Sequence, residues 1–122
     1  VTIDINKDMN NNYTINNYEA KNETECVNFI KLISSHKVGE IIINCVFKDG
    51  TKEGYDLNLI DLVYPLTDTP LTIVGGAKSY EEITNISNKY PILGFGVGSL
   101  FIYKGKNKAV LISYPKEHSK IN

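Results

Sequence analysis

Short apolar runs rich in β-branched residues recur along this chain, and their spacing constrains its fold more than any other feature. The runs begin near residues 1, 41, 71 and 92, and a segment with helix signals follows each of the first three. Strands that alternate with helical segments are typical of a parallel sheet with right-handed crossovers. The sequence therefore predicts a βα-βα-βα-β order in an α/β fold, as a single domain that spans residues 1–122.

The three helical segments carry their own start and stop signals. In the first, from about residue 25 to 36, apolar residues recur at helical spacing, and Thr24 is the predicted N-cap. Asp56 is placed to cap a second helix, which Pro65 ends. The stretch Ser79-Tyr-Glu-Glu82 is a capping box and predicts a third helix that reaches about residue 88.

The connecting segments are less regular. Residues 6–22 are rich in asparagine and predict either a hairpin with a two-residue turn at Asn16–Asn17 or a disordered loop. After the fourth run, Gly98 and Ser99 predict a short helical turn at about residues 100–103. The apolar tail, residues 109–114, is expected to pack across the outside or the bottom of the sheet, and the chain beyond Pro115 is expected to fray.

Glycine and polar residues follow the carboxyl end of every predicted strand. They are Asp4, Asn44, Asp49, Gly50, Thr51, Gly75, Gly76, Gly98 and Ser99. Because the carboxyl ends of parallel strands meet at one edge of a sheet, we expect a binding site there. Glycines let a ligand approach backbone N–H groups, and a helix that begins at Ser99 adds its dipole, so the pattern indicates a phosphate site. Tight turns are the competing explanation for the glycines, and turn chemistry for Asp49.

A carboxylate at this edge is the candidate catalytic group. Asp4 ends the first predicted strand, where its carboxylate could act as a general acid or base. Capping of the following loop is the alternative role for this side chain. His36 and His118 have no ligand spacing to a cysteine or to each other, so neither a metal nor another cofactor is expected.

The bulk properties exclude several classes of protein. The net charge is −1 over 122 residues, which gives no reason to expect a nucleic acid or an anionic membrane as a partner. No apolar run approaches the roughly 18 residues that a transmembrane helix requires. No signal peptide is visible, and Cys26 and Cys45 fit small buried residues of a reducing compartment, so a cytoplasmic location is expected.

One stretch of the chain resembles a known family, namely residues 39–56, GEIIINCVFKDGTKEGYD. It is similar to the sixth-strand signature of the cyclase (synthase) subunit of imidazole glycerol phosphate synthase. Ile3-Asp4, Val74-Gly-Gly-Ala77 and Gly98-Ser-Leu-Phe101 resemble the ends of the fifth, seventh and eighth strands of that subunit. The resemblance covers nearly the whole chain and implies a parallel (β/α) half-barrel, strands five to eight of a TIM (β/α)8 barrel. The chain begins within a strand and without Met, as expected of one half of a larger fold.

The resemblance implies a function as well as a fold. Members of the family use ammonia from a glutaminase subunit to cyclise an aminated ribulose phosphate, which yields imidazole glycerol phosphate and the purine precursor AICAR. By this resemblance, Asp4 is the catalytic carboxylate of the carboxyl-terminal half and Asn44 contacts the substrate. The residues implied in binding one substrate phosphate are Asp49, Gly50, Gly76, Gly98 and Ser99, with Thr51 and Gly75 beside them.

Departures from the family pattern leave alternatives open. Phe47 stands where the family usually has Asp. The second catalytic Asp and the second phosphate site of the family fall in the amino-terminal half of the barrel. The ending, residues 98–115, is most similar to a paralogous branch from surface-polysaccharide gene clusters, which implies ammonia transfer to a carboxylate-bearing sugar. A third alternative is an inactive phosphate-binding half-barrel, which would pair with an amino-terminal half or a second copy through a bare hydrophobic sheet face.

Overall fold

The structure, a computed structural model, describes residues 1–15, 20–98, 100–104 and 109–113. The described strands are β1 Thr2–Lys7, β2 Tyr13–Thr14, β3 Ile41–Cys45, β4 Leu71–Val74, β5 Gly94–Val97, β6 Leu100–Lys104 and β7 Ala109–Ser113. The described helices are α1 Glu23–Ser35, α2 Leu57–Val63 and α3 Tyr80–Lys89, and short 3-10 turns lie at Val46–Lys48 and Tyr64–Leu66.

These strands form one sheet in the order β2-β1-β3-β4-β5-β6-β7. The strands β1, β3, β4 and β5 are parallel neighbours, as the sequence predicts, and a helix lies between each of them and the next. Their register aligns Asp4 with Asn44, Asn44 with Val74, and Val74 with Gly96. The mixed sheet with its parallel centre and its helices confirms the α/β class, and it is consistent with a family of (β/α)8 barrels.

Alternate residues of the parallel strands pack against the helices in one hydrophobic core. Ile3, Ile43, Ile73 and Phe95 are at most 2% exposed and belong to this core. The helices contribute Cys26, Ile30, Leu59, Ile60, Val63, Ile83 and Ile86. Burial of one such Ile or Phe side chain contributes about 1.5–3 kcal/mol, so this face holds the helices on the sheet. The residues between them along each strand face the other side.

That other face of the sheet is polar in one part and covered in another. Asp4 is exposed and Asn44 is half-buried, whereas Thr72 and Val74 of β4 are fully buried. Phe101 of β6 lies beside Gly96 of β5 on this face, since a methyl group on Gly96 would meet its ring at 3.3 Å. The prediction of a bare and hydrophobic face is therefore wrong, because polar side chains stand on β1 and β3 and the side chains of β4 on this face are buried.

Two predictions for the end of the chain are also wrong. Residues 100–104 form the strand β6 rather than a helical turn, and β6 pairs antiparallel with β5 from Leu100↔Val97 to Tyr103↔Gly94. Residues 109–113 form β7, which pairs with β6 at the sheet edge instead of packing across the sheet. Aromatic and β-branched residues favour this state. The hairpin also satisfies backbone groups that β5 would otherwise leave unpaired.

The helix starts follow the predictions except at α1. Its N-cap is Asn22, not Thr24, and the Asn22 side chain accepts a hydrogen bond of 2.9 Å from the Glu25 backbone N–H. Asn and Thr both serve as N-caps, so the composition of this stretch does not choose between them. Asp56 caps α2 and Ser79 caps α3, as the sequence predicts.

Smaller differences concern the loops. The strand β5 begins at Gly94, slightly later than the predicted start near residue 92, because Leu93 donates a turn hydrogen bond of 3.1 Å to the Tyr90 carbonyl. The chain does reverse between Ile15 and Ala20, which form an antiparallel bridge. The predicted turn at Asn16–Asn17 lies outside the described residues.

Candidate functional site

Asp4 and Asn44 lie side by side on the face of the sheet opposite the helices. Their strands pair in parallel register at these two residues, so both side chains project from the same level. The Asn44 Nδ2 donates a hydrogen bond of 3.1 Å to Asp4 Oδ1. The carboxylate is thus held in place by a neutral donor and stays exposed, which suits a group that must meet a substrate.

The other end of the Asn44 amide has an unused acceptor. Within the described residues, Asn44 Oδ1 is buried and makes no hydrogen bond. A buried oxygen without a donor is unfavourable by about 1–3 kcal/mol. A ligand hydroxyl or amine beside Asp4 would satisfy it, so the pair offers a bound molecule both an acceptor and a carboxylate.

The loops after three neighbouring parallel strands enclose a cavity of about 190 Å³, here called the glycine pocket. Its walls are Asp49, Gly50 and Lys52 after β3, then Gly75, Gly76 and Ala77 after β4, and Gly96, Val97 and Gly98 at the end of β5. Five residues that the sequence predicts for the site line this one cavity, at the edge that the parallel order defines. These are Asp49, Gly50, Gly75, Gly76 and Gly98.

Two of these glycines are required by their surroundings. Gly75 has φ +107°, and a methyl group on it would lie 2.6 Å from the Cys45 carbonyl oxygen. Gly76 has φ +95°, and its methyl group would lie 2.6 Å from the Gly54 carbonyl oxygen. Positive φ is unfavourable for other L-residues, and backbone atoms cannot rotate away from a clash. The close packing of the loop after β4 on β3 and on the loop that follows β3, rather than a free turn, explains this glycine pair.

The loop after β3 is held in shape by its own hydrogen bonds. The Thr51 hydroxyl donates to the Lys48 carbonyl at 2.8 Å and accepts from the Glu53 backbone N–H at 3.3 Å. Thr51 therefore shapes the loop, and its hydroxyl is not a wall of the glycine pocket. Lys52, which adopts φ 54°, lines the pocket instead and brings a positive charge to it.

The predicted residues divide into two groups in space. Asp4 and Asn44 form one pair on the sheet, and the glycine pocket lies beyond the ends of the next strands. The aligned register of β3 and β4 places Asn44 one residue before the level of Gly75. Ser99 lies outside the described residues, and the helix that it was predicted to begin is replaced by β6.

The sequence reasoning missed a buried polar cluster beside the site. The Tyr13 hydroxyl donates to Asp56 Oδ2 at 2.8 Å, and Lys7 Nζ lies 3.6 Å from the same oxygen. Burial, strengthened by the neighbouring Asp56, raises the pKa of Tyr13 well above its ordinary value. The Lys7 ammonium also lies over the rings of Tyr13 and Phe47, 5.0 and 5.2 Å from their centres. Contacts across 43 residues of sequence leave no local pattern by which to find them.

Both cysteines, Cys26 and Cys45, are buried and free. Burial raises the pKa of the Cys45 thiol to about 12 and that of Cys26 to about 11, so both stay protonated near neutral pH. Among the described residues, no group of three or more His, Cys, Asp or Glu side chains is placed to hold a metal ion. In the same residues, no helix is long and apolar enough to cross a membrane.

Comparison with known proteins identifies the family. A model of the family described as "Histidine biosynthesis protein" matches residues 1–108. The chain belongs to this family. Relatives of the chain are named as HisF subunits of imidazole glycerol phosphate synthase. The expected kinship with the cyclase subunit of that enzyme, which these relatives call HisF, is confirmed.

Relatives with this name cover most of the chain. The Streptococcus mutans imidazole glycerol phosphate synthase subunit HisF is 30% identical over 120 residues, which is 97% of this chain and 48% of the relative. The Hydrogenobaculum subunit HisF is 30% identical over 105 residues, 86% of this chain and 42% of the relative. A Vibrio vulnificus protein, provisionally named imidazole glycerol phosphate synthase subunit hisF3, is 39% identical over 108 residues, 88% of this chain and 41% of the relative. The chain spans less than half the length of these curated relatives.

Proposed function

We propose that this chain supplies strands five to eight of the (β/α)8 barrel of a HisF-type cyclase subunit. In the complete barrel it would use ammonia, delivered by a glutaminase subunit, on a phosphorylated substrate to form imidazole glycerol phosphate and AICAR. The observation that carries the proposal is the common edge of the sheet. There, the Asp4–Asn44 pair stands on the sheet near the carboxyl end of β3, and the glycine pocket lies beyond the carboxyl ends of the neighbouring parallel strands, the position of the active site in (β/α)8 enzymes.

In this proposal Asp4 moves a proton. A carboxylate that is exposed and held by a neutral amide can take up or release a proton as the ring of the product closes. The unused Asn44 Oδ1 would accept a hydrogen bond from a substrate hydroxyl or amine and so orient the substrate at Asp4.

The glycine pocket would bind one phosphate of the substrate. Glycine walls let phosphate oxygens approach the backbone closely, and the Lys52 ammonium offsets their charge. The Asp49 carboxylate on the same wall repels a phosphate dianion, so its role would be to orient Lys52 or a substrate hydroxyl rather than to touch the phosphate.

A second candidate is the paralogous synthase subunit that passes ammonia to a sugar in surface-polysaccharide synthesis. Phe47 favours it, because an apolar ring replaces the acid that the cyclases usually carry at this position. The ring packs on Tyr13, with 6.3 Å between the ring centres, and receives the Lys7 ammonium. An Asp at this position would pair with Lys7 instead, so the substitution changes the charge beside the site.

Reassembly tests the proposal. The chain is mixed with the amino-terminal half of the Streptococcus mutans relative, and ammonium-dependent formation of imidazole glycerol phosphate is measured. Each half alone is expected to show no cyclase activity, and the mixture is expected to show it. The strand β6 occupies the edge of β5 at which an eight-stranded barrel would close, so β6 must leave that edge on reassembly.

The possible outcomes separate the candidates. A complex of the two halves without cyclase activity would favour the sugar-modifying candidate. Turnover by the chain alone would contradict the need for the other half. Light scattering that shows no complex with the other half, but a dimer of this chain, would leave the self-associating half-barrel as the better explanation.

Phosphate is expected to stabilise the isolated chain. A ligand at 100 times its dissociation constant stabilises the folded state by about 2.7 kcal/mol, so millimolar phosphate should raise the unfolding temperature above that in chloride of equal ionic strength. Lys52→Gln should weaken phosphate binding by about twofold to fivefold, the range for an exposed ion pair.

Lys37→Gln is the matched control for this measurement. Lys37 also has a positive φ, 55°, but it follows α1 and is not part of the glycine pocket. Binding should be unchanged in this variant. Equal loss in both variants, or no effect of phosphate on the wild-type chain, would contradict the assignment of the pocket.

A further inference from the structure

Glu82 connects two loops that form separate walls of the glycine pocket. It belongs to the first turn of α3, and its side chain reaches back to Lys78, the residue before the N-cap Ser79. Glu82 Oε2 accepts a hydrogen bond of 2.8 Å from the Tyr55 backbone N–H, and Oε1 accepts one of 3.1 Å from the Lys78 backbone N–H. One carboxylate therefore ties the loop after β3 to the loop after β4.

The backbone around Glu82 is shaped to admit this carboxylate. Gly54 is buried and has φ +108°, and a methyl group on it would lie 2.6 Å from Glu82 Oε2. Gly54 in turn donates a hydrogen bond of 2.7 Å to the Gly76 carbonyl. The carboxylate, Gly54 and Gly76 thus form a continuous contact that ends at the wall of the pocket.

Tyr55 extends the connection to the third wall. Its hydroxyl donates a hydrogen bond of 3.1 Å to the Gly96 carbonyl, and its ring packs on Phe95 with 5.4 Å between the ring centres. Tyr55 is 4% exposed, and burial, with Glu82 nearby, raises the pKa of its hydroxyl well above the ordinary value. Tyr55 is therefore bound to Glu82 through its backbone N–H and to β5 through its hydroxyl.

We propose that Glu82 is a positioning residue for phosphate binding, which sets the spacing of the three walls of the glycine pocket without touching the ligand. This role rests on the proposed phosphate site and goes beyond it, since Glu82 is not one of the residues that line the glycine pocket. The two hydrogen bonds to this charged group add to the Gly54–Gly76 hydrogen bond in holding the two loops together. Loss of the carboxylate would let the loop after β3 move away from Gly76.

The experiment compares four variants of the chain by phosphate affinity and by backbone hydrogen exchange. Glu82→Ala removes both acceptors, and Glu82→Gln keeps one oxygen in nearly the same shape, so it stays informative if the alanine variant does not fold. Glu81→Gln removes the neighbouring exposed carboxylate in the same helical turn. Ser79→Ala removes the N-cap of α3 and so weakens the helix without deleting the Glu82 carboxylate.

Both Glu82 variants are expected to raise the phosphate dissociation constant by about tenfold, since hydrogen bonds to charged groups have effects of this size. Exchange of the Tyr55 amide, and in the alanine variant also of the Lys78 amide, is expected to accelerate by about tenfold or more. Glu81→Gln and Ser79→Ala are expected to leave the phosphate dissociation constant within about twofold of the wild-type value.

Phosphate affinity and hydrogen exchange together distinguish a failure of the positioning role from a failure of the phosphate site itself. If the wild-type chain binds no phosphate, the proposed site fails, and faster exchange at Tyr55 in the Glu82 variants still supports the connection between the loops. Unchanged exchange in those variants overturns the connection. Faster exchange with unchanged phosphate affinity overturns the positioning role and leaves Glu82 as a structural residue. An equal loss of affinity in Ser79→Ala overturns it as well, since helix loss then explains the effect.

Discussion

Replacement of Asp4 by Asn is expected to lower turnover by the reassembled barrel by about 10²–10⁴-fold, the range for the loss of a general acid or base. Asn is nearly the same size, and its oxygen can still accept the hydrogen bond from Asn44 Nδ2. The exposed position of Asp4 also leaves little packing to disturb. A fall in kcat without loss of complex formation would therefore report chemistry rather than folding.

Asp68→Asn is the control for this variant. Asp68 is exposed and lies just before β4, at the end of the sheet opposite Asp4. Turnover should be unchanged in this variant. If the Asp4 variant retains turnover within about twofold of the wild-type rate, Asp4 is not the proton-transfer group of this half. The amide of Asn44 would then be the better candidate for a role in substrate binding alone.

Replacement of Gly75 by Ala is expected to destabilise the chain by about 2–5 kcal/mol and to abolish phosphate binding. Positive φ accounts for about 1–2 kcal/mol, and overpacking accounts for about 1–3 kcal/mol more. The clashing atom is the carbonyl oxygen of Cys45, a fully buried residue in the centre of the sheet. Neither partner can move without displacing a strand. Denaturant midpoints at constant m-value measure the change in the free energy of unfolding.

Gly39→Ala provides the matched comparison. A methyl group on Gly39 would have no atom within 4 Å, and its φ lies outside the left-handed region. This variant should be as stable as the wild type, or more stable by about 0.4–1 kcal/mol, because alanine restricts the unfolded chain. Equal stability of the Gly75 and Gly39 variants would show that the loop after β4 can rearrange, and the explanation given for the glycine pair would be wrong.

The parallel centre of the sheet was predictable because its signals are local. Apolar runs of a few residues mark β1, β3, β4 and β5. The N-caps Asp56 and Ser79 mark the starts of α2 and α3, and each is recognisable from its immediate sequence neighbours. Parallel strands also bring their carboxyl ends to one edge. The parallel order thus predicts that Asp49, Gly76 and Gly98 lie at one edge, and in the structure all three line the glycine pocket.

The contacts of the glycine pocket depended on the tertiary structure. The sequence could explain Gly75 and Gly76 equally well by a tight turn or by a ligand. In the fold, each glycine makes room for a backbone carbonyl oxygen of β3 or of the loop after it, and only packing between segments some 20 to 30 residues apart can create that requirement. The same applies to Glu82, since a capping box names its helical position but not the loops that its carboxylate reaches.

The end of the chain shows the limit of sequence reasoning most clearly. The apolar residues after Ser99 fit a helical turn or a strand, and a short apolar run does not distinguish the two. The unpaired edge of β5 decides in favour of a strand, because β6 can satisfy its backbone groups there and place Phe101 beside Gly96. The sequence by itself determined the parallel α/β order, the family and the edge that carries the candidate site. The tertiary structure alone decided which loops touch, which carboxylate holds them and what lies against the last parallel strand, because these depend on contacts between residues distant in sequence.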